Sequence, residues 1–182
     1  RNVAVGGNAL RDLNAGANAL NVAVGYDAGL LMSTGVRNVI MGGLAGDALT
    51  TGSYNQALGY SALGTETGGS RSTAIGYLAL GIQNVGSGEA NNVAIGHSAG
   101  GAVTSGVQNV VMGSLTGDAI TTGSDNVAIG YNALSTEDTG GQNVAIGAQA
   151  LQNLDAGANG LNVAIGFQAG TAMQTGVQNT IV

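Results

Sequence analysis

Asparagine, valine, alanine, a long aliphatic residue and glycine follow one another along this chain in a pattern that keeps returning. With its glycine as position zero, complete copies end at Gly6, Gly25, Gly42, Gly59, Gly76, Gly96, Gly113, Gly130, Gly147 and Gly166, and an eleventh copy begins at Asn179. Apolar residues at minus one and minus three share one face of a short strand, and minus two, alanine in eight of ten copies, lies on the other. Glycine recurs at plus ten, where positive φ would turn a corner, so the spacing predicts two short strands per coil. The expectation is an all-β parallel β-solenoid, a β-roll or β-helix, of about ten coils of roughly 17–20 residues.

A longer period lies over the short one. Gly35 to Ser53 reads GVRNVIMGGLAGDALTTGS and Gly106 to Ser124 reads GVQNVVMGSLTGDAITTGS. The duplicated unit is therefore four coils, about 70 residues, with the fourth coil lengthened. No linker or charge run divides the chain, which reads as a single solenoid over 1–182. Both ends fall inside the motif, as expected of a segment of a longer fibre.

Three columns stand out. Asparagine holds minus four, as Asn21, Asn38, Asn55, Asn92, Asn109, Asn126, Asn143 and Asn162, with Ser72 the departure. Stacked coils would place these amides about 4.8 Å apart, close enough to form a hydrogen-bonded ladder. No N-x-Ser/Thr sequon supports a glycan-attachment role instead. Position plus one holds Tyr26, Tyr60, Tyr77, His97, Tyr131 and Phe167, interrupted at Gly43 and Ser114. This stripe is either a stacking ladder or interface seam, or a surface for sugar rings. At plus four, leucine (Leu63, Leu80, Leu134, Leu151) alternates with glycine (Gly29, Gly46, Gly100, Gly117). Where plus four is glycine, plus seven is apolar (Met32, Leu49, Val103, Ile120), as a packed interior of constant volume demands. Third coils carry Glu66 and Glu137 at plus seven instead.

Composition narrows the function classes. With 34 glycines but no proline among 182 residues the chain is not collagen, and 44% hydrophobic content with strict period argues against disorder. A net charge of −6 disfavours nucleic-acid binding, and no membrane-inserting run is visible. No catalytic motif is present, and His97 has no second histidine or cysteine to share a metal or a catalytic dyad with. Asp47 and Asp118 repeat at one coil position but four coils apart, about 19 Å, too far for a catalytic pair. The acids are not expected to converge on calcium. The expectation is therefore a non-enzyme with no cofactor, no metal and no catalytic residue.

Segments such as NVAIGYNAL (Asn126 to Leu134), NVAIGAQAL (Asn143 to Leu151) and NVAVGYDAG (Asn21 to Gly29) resemble the repeats of phage tail-fibre and bacterial surface-fibre proteins. More distantly, they are similar to the head repeats of YadA-like trimeric autotransporter adhesins, whose coils are shorter. The resemblance covers the whole chain. It implies a homotrimer displayed extracellularly, on a cell surface or virion, and used for attachment, with a surface glycan among the ligands. From the residues themselves, a strand with valine and isoleucine on one face and small residues on the other suits close packing on another chain. In a lone chain the small, weakly polar face would meet water. Two further readings stay open: a self-assembling extracellular filament, and an ice-binding surface built on the hydroxyls of Thr34, Thr51, Ser105, Thr122, Thr139 and Thr175.

Overall fold

A computed structural model describes residues 1–182 apart from Ala17 and Ala158, and it is a β-solenoid of about ten turns with no helix among the described residues. Eleven short strands form one parallel sheet: β1 (Val3–Val5), β2 (Val22–Val24), β3 (Val39–Met41), β4 (Gln56–Leu58), β6 (Thr73–Ile75), β8 (Val93–Ile95), β9 (Val110–Met112), β10 (Val127–Ile129), β11 (Val144–Ile146), β12 (Val163–Ile165) and β13 (Thr180–Ile181). Each pairs with the next in motif register, Val3 on Val22 and Thr73 on Val93 alike, although the coils between them differ in length. The extra residues of long coils leave the ladder untouched and bulge elsewhere.

Among the described residues, the expected second strand per coil is found only between β5 (Gly69–Ser70) and β7 (Gly88–Glu89). Elsewhere the return path is a chain of turns. In the coil after Gly25, Ala28 N bonds to Gly25 O, Leu30 N to Asp27 O and Met32 N to Gly29 O. Positive φ at plus two and plus four, as in Asp27 and Gly29, is the sign of type II turns sharing end residues. A turn ribbon cannot form a ladder along its own length, so its amides bond instead to the coil above: Gly29 N to Ala45 O, Leu31 N to Asp47 O.

The faces of the strand are the reverse of the single-chain expectation. Between the end coils, alanine at minus two and asparagine at minus four point inward and are buried, whereas the valines and isoleucines at minus one and minus three point out and stay half-buried or exposed. The reason is width. So short a coil closes a cross-section too narrow for two long side chains from one strand, so alanine is the interior residue and the bulk is delivered from the turns.

That bulk follows the plus-four and plus-seven exchange. Leu63, Leu80, Leu134 and Leu151 are buried, and so are Met32, Leu49, Val103 and Ile120 in the coils where plus four is glycine. The four leucines occupy left-handed φ, from 48° to 55°, a conformation that costs an L-residue about 1 kcal/mol. Glycine at plus four avoids the strain but contributes no volume, and the interior is then filled from plus seven and, in second coils, by Ile40 and Val111 at minus two. A methyl at Gly46 would lie 3.2 Å from Ile40 Cδ1.

The motif glycine is fixed twice over. Its φ lies between 126° and 142°, and a β-carbon there would collide with the next coil's glycine; at Gly113 it would lie 2.7 Å from Gly130 O. Seven of the plus-ten glycines fall into two kinds. Gly16, Gly86 and Gly157, in the long coils, have positive φ as expected; Gly35, Gly52, Gly106 and Gly123 do not, and are glycine because a β-carbon would strike the next plus-ten carbonyl.

Candidate functional site

The asparagine ladder forms, but its principal bonds run to backbone. Asn38 Nδ2 donates to Gly52 O across its own coil at 3.0 Å, and Asn38 Oδ1 accepts from Asn55 N in the next coil at 2.8 Å. The same two bonds are made by Asn21, Asn109 and Asn126. Each side chain thus braces strand to opposite corner and one coil to the next. Direct amide contacts also occur, Asn38 Nδ2 to Asn21 Oδ1 at 3.2 Å and Asn162 Nδ2 to Asn143 Oδ1 at 3.2 Å. Asn21, Asn38, Asn55, Asn92, Asn109, Asn126, Asn143 and Asn162 are all buried, so they serve the interior and offer nothing to a ligand.

Where Ser72 breaks the ladder, a buried polar cluster takes the missing rung. Glu66 Oε1 accepts from Gly68 N and Gly69 N, and Oε2 accepts from Val85 N and from Gln83 Nε2 at 2.9 Å. Gln83 Nε2 also donates to Ser72 Oγ at 3.2 Å, and Gln83 Oε1 accepts from Asn92 Nδ2 at 2.8 Å. In the second unit the corresponding residues are Glu137, Asn143 and Leu154, and Glu137 holds Gly140 N and Ala156 N at 2.8 and 3.0 Å. These glutamates clamp the entrance of the lengthened coil. The signal was present in the sequence as Glu66, Gln83 and Glu137, the three polar residues in a plus-seven column otherwise apolar.

The plus-one stripe lies on the surface. Tyr26, Tyr60, Tyr77, His97, Tyr131 and Phe167 are all exposed, Phe167 at 73%. Tyr60 and Tyr77 stack with centroids 5.7 Å apart and planes at 12°, and Tyr77 and His97 at 5.3 Å and 10°. Only these three join; Gly43 separates Tyr26 from Tyr60, Ser114 separates His97 from Tyr131, and Ala148, a further interruption, separates Tyr131 from Phe167. Tyr54, outside the stripe, starts a file of its own. Arg37 and Arg71, one coil to either side, place their guanidinium carbons 5.3 and 5.9 Å from its ring centre, and Arg37 donates to its hydroxyl.

Coil stacking also corrects the expectation that the acids do not converge. Carboxylate oxygens of Glu137, Asp138 and Asp155 lie within 4.8 Å of one another. Glu137 is buried and spends its oxygens on backbone donors, Gly140 N in its own coil and Ala156 N in the next, while Asp138 and Asp155 are exposed. The first unit has Thr67 and Asn84 in place of the two aspartates, joined by a 3.0 Å hydrogen bond from Thr67 Oγ1 to Asn84 Oδ1. Asp47 and Asp118 sit apart, half-buried, and burial pushes both carboxyls above the ordinary aspartate range, with Asp27 adding to the effect on Asp47.

Compared with family models, curated proteins and solved structures, the chain matches none. The outer face of the sheet is a regular surface running the length of the solenoid. Val24, Met41, Leu58, Ile75 and their counterparts onward to Ile165 form an unbroken aliphatic column across neighbouring strands, and beside it runs a column of valines, Val22 to Val163, interrupted by Gln56 and Thr73. No helix of the described residues is long and apolar enough to cross a membrane.

Proposed function

We propose that the chain is a structural, adhesive segment of an extracellular or virion fibre, in which copies of the chain associate through the outer face of the long sheet. The observation that supports this most is the outer face of that sheet, one column wholly aliphatic and the other valine except at Gln56, Thr73 and Thr180. Eleven strands at about 4.8 Å give a strip roughly 48 Å long, and soluble monomers rarely leave so long a largely apolar surface in water. A flat parallel sheet packed face to face on other sheets buries such columns, and three chains arranged around one axis bury all of them at once. The resemblance of the NVAIG repeats to tail-fibre and adhesin repeats points the same way, towards a homotrimer used for attachment. The outer faces of Tyr60 and His97, at the two ends of the stack beside Gly43 and Ser114, are then the candidate contacts for a surface glycan, since flat aromatic faces suit sugar rings.

Absolute mass by light scattering after size exclusion, at two concentrations tenfold apart, tests the assembly. A constant mass of three chains is expected. A single chain at both concentrations would overturn it, and a mass that climbs with concentration would replace it with a self-assembling filament. The ice-binding reading rests on one file of exposed hydroxyls, and a thermal-hysteresis assay without activity removes it.

A further inference from the structure

A concavity of about 340 Å³ opens midway along the solenoid, where three consecutive coils meet. Leu78, Ile82, Ala102 and Leu115 give it apolar walls, and the polar groups at its edge are Ser98 and Asp118. Volume and lining match an ordinary small-molecule site, largely apolar with few polar anchors. Two further observations bear on what it holds.

The internal duplication explains why the groove exists. At the same places in the first four-coil unit, the counterparts of Gly101, Ala102 and Asp118 are Leu30, Leu31 and Asp47. Two leucines in the first unit are thus replaced by the two smallest residues in the second, and the space they vacate is the floor of the groove. The following coil closely repeats its counterpart, LTGDAITTGS for LAGDALTTGS, whereas the preceding coil also differs: at the places of Leu78 and Ile82 the coil after Gly6 carries Asn8 and Asp12, so the apolar walls as well as the floor belong to this groove alone of the two.

The second observation is Asp118 itself. Its Oδ1 is shut off from solvent and has no hydrogen-bond donor among the described residues. A buried carboxylate oxygen without a donor is costly, and native structures satisfy such groups or pair them with a cation. Here burial raises the carboxyl's proton affinity, which is the same deficit seen from the proton's side. A positive charge placed in the groove beside the carboxylate offsets that cost by Coulomb attraction, which needs no direct contact with the enclosed Oδ1.

We propose that this groove binds a small organic cation with an apolar body, an aryl- or alkylammonium ion whose charged end lies beside Asp118 and whose hydrocarbon lies among Leu78, Ile82 and Leu115. The apolar walls alone would accept any hydrocarbon; the lone carboxylate selects the charged one. The net charge of −6 favours cation approach.

Titration of the full chain with phenethylammonium chloride, followed by methyl NMR of Leu78, Ile82 and Leu115, tests this, with 2-phenylethanol as the uncharged control. Saturable shifts confined to these methyls are expected, with a dissociation constant on the order of 1 mM, in keeping with so small a ligand. Ala102→Leu, which restores the first unit's side chain, should abolish the shifts. Asp118→Asn, which keeps volume and removes charge, should weaken phenethylammonium by about tenfold or more and leave 2-phenylethanol unchanged. Shifts that never saturate, equal affinity for the alcohol, or binding indifferent to Asp118→Asn would each overturn the proposal. Should Ala102→Leu unfold the coil, the isosteric Asp118→Asn variant decides alone.

Discussion

Replacing Gln83 by leucine removes the centre of the buried polar cluster, and the internal duplication supplies its own rescue. In the first unit Gln83 makes three side-chain hydrogen bonds, to Glu66 Oε2, Ser72 Oγ and Asn92 Nδ2. One goes to a carboxylate, worth about 1.5–3 kcal/mol, and the neutral ones contribute about 1 kcal/mol each or less, so Gln83→Leu should cost roughly 2–4 kcal/mol. Ser72→Asn alone inserts an amide where Gln83 already lies and should cost about 1–3 kcal/mol by overpacking. The second unit holds this pair as Asn143 and Leu154, both buried, with Asn143 Oδ1 accepting from Asn162 N at 3.2 Å. Ser72→Asn/Gln83→Leu should therefore recover the ladder, with Asn92 N gaining the acceptor that Asn162 N has, and fall within about 1 kcal/mol of the parent. The coupling is then at least about 2 kcal/mol in favour of the pair, well beyond what independent sites show. Urea unfolding followed by circular dichroism measures all four chains. Costs that add to within about 0.5 kcal/mol would refute the idea that one side chain stands in for the missing rung.

Leu134→Ala should destabilise the chain by roughly 2–5 kcal/mol in the same assay, since the side chain is fully buried; a loss near zero would place the plus-four column outside the core. Gly59→Ala should be worse than about 4 kcal/mol, because φ is 139° and the methyl would lie 2.6 Å from the Gly76 carbonyl carbon; a variant within about 1 kcal/mol of the parent would mean the coils can spread. For Asp47 the folded state raises the carboxyl's pKa above the ordinary 3.8, so the native chain binds more protons than the unfolded one just above that value. Stability on this account declines as pH rises through the raised pKa, and the deficit is absent below the ordinary value. Asp47→Asn should accordingly melt higher than the parent at neutral pH and no higher near pH ~3; a constant difference at both pH values would refute the desolvation.

The coil period was legible because a solenoid repeats its chemistry with its geometry. Asn38 and its counterparts announced a ladder, and the exchange of Leu63 for Leu49 between plus four and plus seven announced a shared interior. The inside and outside of the strand were not legible. Valine and isoleucine outrank alanine on any hydrophobic scale, and only the narrowness of the closed coil puts Ala57 inside and leaves Leu58 half out. The second strand failed for a related reason: glycine at plus ten, such as Gly52, answers to the neighbouring coil's carbonyl and not to its own φ. Acids as far apart in sequence as Asp138 and Asp155 meet because one turn of the coil returns them to one spot, an effect that a scan for contiguous metal motifs does not see. The stacked trio of Tyr60, Tyr77 and His97 was legible as a file, whereas the Arg37, Tyr54 and Arg71 file required knowing that minus five faces outward in successive turns.

Strand pairing passes from one four-coil unit to the next in unchanged register, Thr73 on Val93 and Val93 on Val110. An end-on coil therefore has no means of telling which unit it meets, and the molecule behaves as a ruler cut in interchangeable lengths. Joining Gly25 directly to His97 deletes one whole unit yet presents the next coil with the same glycine, the same asparagine brace and the same strand edge. Reach can thus be shortened or extended in steps of roughly 19 Å by recombination between units, without redesign of any junction.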